Sequence, residues 1–188
     1  MDFREINWPG LASSLGAATL VLLSVFYAAP WWRVVIGEGV GLAEISPLDF
    51  RADLAGVSVE VPIVWFLNVG SKLTMVACAV VMFLYSVTPQ KGFSRVLLGF
   101  AYKKPLLMLG FFSVTLVVST MYVEAYFGVY IPLMGTVTLL LSGRGVTASV
   151  PVSTSFTWVF WLAVATTVLA LVAKIYDLKV RVQEPSMK

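Results

Sequence analysis

The chain has 188 residues, of which 59% are hydrophobic and only 12% charged, with a mean hydropathy of +0.90; soluble domains carry about 25% charged residues, so an ordinary soluble domain is excluded. A formal net charge of +3 would point to nucleic acid in a soluble protein, but here the basic residues cluster beside long apolar runs, so the expected partner is the lipid bilayer with its anionic headgroups and no nucleic acid. Without histidine there is no imidazole haem ligand, His-type zinc site, Ser-His-Asp triad or His proton relay, and a lone cysteine, Cys78, allows neither an intrachain disulfide nor a Cys cluster for zinc or iron–sulfur.

Four apolar runs follow in chain order, at about 11–30, 63–87, 105–131 and 156–174. Each reaches the roughly 20 residues that a helix rising about 1.5 Å per residue needs to cross a hydrocarbon core of about 30 Å. They predict an integral membrane protein, residues 1–188 forming one all-α bundle of four transmembrane helices. Asp2, Arg4 and Glu5 stand before the first run where a secretory signal has a basic n-region, so this run is expected to be a retained anchor. In the segment 31–62, Leu48-Asp49-Phe50-Arg51-Ala52-Asp53-Leu54 alternates apolar and charged residues, and Val57-Ser58-Val59-Glu60-Val61 resumes the alternation after Ala55-Gly56. A period of two with a turn in the middle predicts a β-hairpin leading into Pro62. The competing reading is a helix with Ser46 as N-cap and Gly56 as its stop.

The second run carries Lys72 and Cys78, the latter read as a small buried apolar residue. After it come the basic residues Lys91, Arg95, Lys103 and Lys104, with Phe93, Val96, Leu97 and Phe100 at i, i+3, i+4 and i+7. That spacing predicts an amphipathic helix in the inner headgroup plane, the alternative being a plain basic loop, and Pro105 then opens the third run. The third run holds Glu124. Within 132–155, Thr136–Leu141 and Val146–Val150 predict a second hairpin across Ser142-Gly143-Arg144-Gly145. The two hairpins, joined by Trp31–Ile36, are expected to form a small extracytoplasmic antiparallel β-sheet with one apolar and one polar face. The fourth helix is expected to run on from Lys174 to Gln183, before Pro185.

Lys91, Arg95, Lys103 and Lys104 lie between runs two and three, and Lys174, Lys179, Arg181 and Lys188 follow run four, whereas the segment after run one sets Arg33 and Arg51 against Glu38, Glu44, Asp49, Asp53 and Glu60. The asymmetry predicts a multi-pass protein of the cell membrane with both termini in the cytoplasm. Trp31, Trp32, Trp65, Trp158 and Trp161 fall at the outer ends of the runs, and Trp8, Tyr85, Tyr102 and Tyr176 at the inner ends, as headgroup anchors do. Small residues at four-residue spacing, Ala12/Gly16, Ser13/Ala17, Ser14/Ala18, Gly70/Thr74 and Ala163/Thr167, predict close helix packing.

With its cytoplasmic termini, strand-rich first outer segment, short inner loop and second strand-donating outer segment, and with Pro30-Trp31-Trp32-Arg33-Val34 opening the first strand, the chain resembles the claudin and peripheral-myelin-protein family of four-helix membrane proteins. The Gly-Leu-Trp and paired cysteines of claudins are absent from 31–62. What the resemblance implies is therefore an architecture and no junctional role.

Lys72 and Glu124 are the only ionisable residues inside the predicted spans, where a charge costs about 2.5–3.5 kcal/mol. Both are placed in the outer half, where they can form an intramembrane ion pair. No acyl-transfer, nucleotide-binding or polymerase motif occurs, so no enzyme activity, metal or cofactor is expected. The leading reading is a structural, adhesive or accessory protein that assembles through its outer sheet, as a homo-oligomer or with other membrane proteins. The alternatives are a small transporter or channel component using Lys72 and Glu124, and an anchoring subunit of a membrane redox or lipid-modifying complex. Asn and Gln together number four, Asn7, Asn68, Gln90 and Gln183, a scarcity that points to a thermophilic source.

Overall fold

A computed structural model describes residues 6–37, 40–59, 61–88, 93–143 and 146–183. Four helices, α1 (Trp8–Tyr27), α2 (Pro62–Val87), α3 (Ser94–Phe127) and α4 (Trp158–Gln183), are long and apolar enough to cross a membrane. Their ends follow local chemistry. Asn7 caps α1, its Oδ1 accepting the Gly10 N–H at 3.0 Å. Ala28, with φ of 45°, stops α1 ahead of Ala29-Pro30, so the helix ends earlier than the apolar run does. Gly128, with φ of 64°, follows the end of α3, and Pro62 opens α2, where its missing N–H costs nothing.

The third helix differs from expectation. Pro105 lies inside α3, so the amphipathic segment and the third span are one 34-residue helix. Pro105 withholds one N–H from the ladder, yet Leu98, Ala101 and Pro105, at i, i+3 and i+7, are all buried on one side. Burial of Leu98, Ala101 and Pro105 along one side holds this turn of the helix to the protein core, and the helix runs on unbroken.

The contacts divide the chain into two compact units. The first contains the described parts of Met1–Tyr27, Gly70–Leu109 and Trp161–Lys188. Its core gathers Met82 and Tyr85 of α2, Leu98 and Ala101 of α3 and Ala170 of α4, with Val81, Leu97 and Tyr102 against them. The small residues of α1 let neighbouring backbones approach closely. Ser13 donates to the Thr166 carbonyl at 3.0 Å and Ser14 to the Ala79 carbonyl at 2.9 Å, and a Cβ added at Gly16 would collide with the Thr166 hydroxyl. Close approach and inter-helix hydrogen bonds hold helices together where lipid removes the hydrophobic drive.

The second unit, Ala28–Val69 with Gly110–Phe160, holds a six-stranded antiparallel sheet. Its strands are β1 (Trp32–Ile36), β2 (Gly41–Ile45), β3 (Phe50–Leu54), β4 (Val57–Ser58), β5 (Gly135–Gly143) and β6 (Val146–Phe156), in the order β4-β3-β2-β1-β6-β5. Both predicted hairpins form, and β1 joins them by pairing with β2 on one side and β6 on the other. The β3–β4 turn uses Ala55 and Gly56, both with positive φ (50° and 80°), which suits the right-handed twist of the flanking strands. Ser46 behaves as the helix reading required, its Oγ accepting the Asp49 N–H at 2.8 Å, but the Ser46 N–H also donates to the Asp49 carbonyl at 2.8 Å. That closes a tight turn from which the chain leaves as β3.

Alternation sorts the two faces. On one face lie Trp32, Val34, Val152 and Thr154, all buried, with Ile36, Ala43, Ile45, Val137 and Val150 half-buried. The other face carries Arg33, Arg51, Thr136, Thr138, Ser153 and Ser155, all exposed. Beneath the start of β1, the buried Trp31 ring meets Phe112 edge-on at 5.2 Å, and Phe160 contacts both rings.

Candidate functional site

Lys72 is half-buried in α2, ten residues or about 15 Å of helical rise from Pro62, and belongs to the first unit. Glu124 is exposed in the last turn of α3, about 4.5 Å of rise before Phe127, and belongs to the second unit. Its carbonyl accepts the Gly128 N–H at 3.0 Å, so Glu124 closes the helix where the chain turns away.

The tryptophans separate into two groups. Trp65, Trp158 and Trp161 are exposed over more than half their surface (61%, 63% and 56%), with the Trp65 ring edge-on to Phe66 at 5.0 Å. Trp31 and Trp32 were also expected at headgroup level, but they are 2% and 4% exposed, so protein takes up their surface. Trp32 donates its indole N–H to the Leu133 carbonyl at 2.8 Å. An aromatic at the end of an apolar run suits both a headgroup and a loop core, and here the sheet supplies the core.

On the basic segment, Lys91 lies outside the described residues, Arg95 falls in the first turn of α3, and Lys103 and Lys104 are exposed. The Lys104 ammonium stands 5.7 Å from the Phe100 ring centroid. Phe93, Val96 and Phe100 of the predicted apolar stripe are exposed and Leu97 is half-buried, whereas Ser94, Leu98, Ala101 and Pro105 face the protein. Three of the four stripe residues therefore point away from the core, while Leu97 packs against it.

Two polar arrangements escaped the sequence reading. The first is a hydrogen-bonded node in the first unit. Asn7, besides capping α1, donates through Nδ2 to the Tyr85 hydroxyl at 2.9 Å and the Ala173 carbonyl at 3.2 Å, and Tyr85 donates to Asp177 at 3.1 Å. Asn7, Tyr85 and Asp177 are all buried, at 1%, 0% and 6%. The signal available for Asn7 was its place before Trp8-Pro9, an Asn N-cap followed by a proline in the first turn.

The second lies on the polar face of the sheet, where the register sets Arg33 opposite Glu44 and Glu44 opposite Arg51. Glu44 meets Arg33 at 2.6 Å and Arg51 at 3.9 Å, its own side chain only 10% exposed. Both arginines are about half exposed, so the row contributes modestly to stability. Its larger effect is to roof three strands with charge and so mark that face as the one turned to water.

Among the described residues no group of three His, Cys, Asp or Glu side chains could hold a metal ion, and Cys78 is buried. The most distinctive surface is the pair of sheet edges. The β4 edge is two residues long and runs into Pro62, while the β5 edge is nine residues long and lacks proline and charge. Short edges and prolines block strand addition, and a long uncharged edge invites it. Compared with models of protein families, with curated proteins and with solved structures, the chain matches none.

Proposed function

We propose that this chain is a non-catalytic membrane protein whose extracytoplasmic sheet joins it to other protein chains while the four helices anchor it in the bilayer. The single observation that carries the reading is the asymmetry of the sheet: a charged roof, a short closed edge at β4 and a long open edge at β5. An isolated domain in water gains nothing from leaving such an edge open. Large apolar side chains exposed along the helices, among them Phe66, Leu73, Phe111 and Val114, are supplied with lipid by the same arrangement.

Mass photometry or native mass spectrometry of the chain in nanodiscs tests the assembly. An integer multiple of the 20.5 kDa chain, or a defined co-purifying subunit, is the expected result, and a single copy at micromolar concentration would remove the reading. The membrane orientation carries its own test. In a Cys78→Ala background, cysteine placed at the exposed Ser58 is expected to react only with reagent added outside, and cysteine at the exposed Phe93 only with reagent admitted to the cytoplasmic side. Reaction of both from one side would break the assigned topology.

A further inference from the structure

Resting on the assembly reading, we infer that the partner of the β5 edge is β5 of a second copy of this chain, paired antiparallel about a twofold axis centred on Leu139.

The backbone directions come first. The Gly37 N–H donates to the Pro151 carbonyl at 2.7 Å, so Pro151 points its backbone groups toward β1. Backbone polar groups alternate sides along a strand, so Val150, Val152 and Thr154 point theirs toward β5. Their register partners Leu139, Val137 and Gly135 return those bonds. The intervening residues Thr136, Thr138, Leu140 and Ser142 therefore turn N–H and C=O outward from the sheet, and no described strand lies beyond them.

The sequence of this edge nearly matches its own reversal. Read from either end, Gly135-Thr-Val-Thr-Leu-Leu-Leu-Ser-Gly143 gives Gly against Gly, Thr against Ser and Val against Leu, with Thr138 against Leu140 as the one mismatch and Leu139 as the pivot. Centred there, position 136 meets 142 and 138 meets 140. All four are outward-facing positions, so donors meet acceptors in about eight hydrogen bonds across the junction. Face matching holds as well: a twofold perpendicular to the sheet keeps the apolar face with the apolar face and the charged roof on one side. Charge permits it, because no Lys, Arg, Asp or Glu lies within 135–143. Length excludes the other homotypic choice. A β4 edge of two residues can match only a fraction of β5, so head-to-tail stacking of copies is poorly supported, and the pairing closes as a dimer with a twelve-stranded sheet.

Cysteine crosslinking of the full-length chain in nanodiscs tests the register, again in the Cys78→Ala background. Leu139 faces its own image in a non-hydrogen-bonded pair at about 4.5 Å between Cα atoms, within disulfide reach, so Leu139→Cys is expected to form a covalent dimer on mild oxidation. Thr138→Cys is offset from its image by two residues, beyond that reach, and is expected to remain uncrosslinked. Thr138→Pro removes an outward N–H and no internal one, so it should abolish the dimer while leaving the protease resistance of the sheet unchanged. Leu139→Pro removes an N–H that bonds β6 and should lower that resistance. If Leu139→Cys does not crosslink and Thr138→Pro keeps the mass of the unsubstituted assembly, the β5 pairing is overturned while the assembly reading stands. Crosslinking at 138 instead of 139 overturns the register and the inference with it. A single-copy mass for the unsubstituted chain overturns both.

Discussion

Val152→Lys should unfold the six-stranded sheet at a cost of about 3–5 kcal/mol, while Ser153→Lys at the next position should change its stability by less than about 0.5 kcal/mol. Val152 is 1% exposed and is flanked in register by Ile36 on one side and Val137 on the other. An ammonium there has no acidic partner on its face of the sheet, because Glu44 and Asp53, the acidic residues of the strands, stand on the opposite one. Ser153 points the other way, toward water. The measurement is the rate of proteolysis of the second unit across a guanidinium series in nanodiscs. Equal resistance in the two variants would mean that the two faces of the sheet have been assigned wrongly.

The same contrast shows what could be read in advance and what could not. The spans were legible because hydrophobic length needs no partner: about 20 apolar residues cross a bilayer whatever they pack against. Both hairpins were legible from alternation, since Leu48–Leu54 and Val146–Val150 switch character at every residue. β2 was not. Gly41-Leu-Ala-Glu-Ile45 shows no alternation, because its charged residue is balanced by Arg33 and Arg51 on strands the sequence does not visibly bring alongside. Trp31 and Trp32 obeyed the rule for headgroup anchors and serve instead as a loop core, a choice that composition at the end of a span does not decide. Pro105 carried the signal of a helix start, and the burial of Leu98 and Ala101 overrode it.

Asn7→Ala should destabilise the first unit by about 3–4 kcal/mol, an unusually large loss for one small polar side chain. The substitution removes an N-cap, worth about 1 kcal/mol, together with the donors to the Tyr85 hydroxyl and the Ala173 carbonyl. Those acceptors are buried, so water does not replace the lost bonds. Asn7→Asp separates the contributions: the carboxylate still caps Gly10 but donates to neither acceptor, and it should recover no more than about 1 kcal/mol. Tyr85→Phe should cost less in the Asn7→Ala background than alone, since the two side chains share a bond. Equilibrium unfolding in mixed detergent measures all of these, and strict additivity would dissolve the node into independent contacts. The partners lie 78 and 92 residues apart along the chain, which is why helix periodicity alone offered no hint of them.

The closed ends of α1 bear on which membranes suit the protein. With Asn7 locking its first turn and Ala28 ending its last, α1 has 20 residues and about 30 Å of rise, with no spare turn to add. α2 and α3 are longer and can tilt to meet a thinner bilayer, whereas α1 can meet a thicker one only by drawing lipid inward around itself. On the proposed membrane reading, this shortest helix sets the upper limit of hydrophobic thickness, because mismatch at α1 begins in bilayers that the longer spans would still fit.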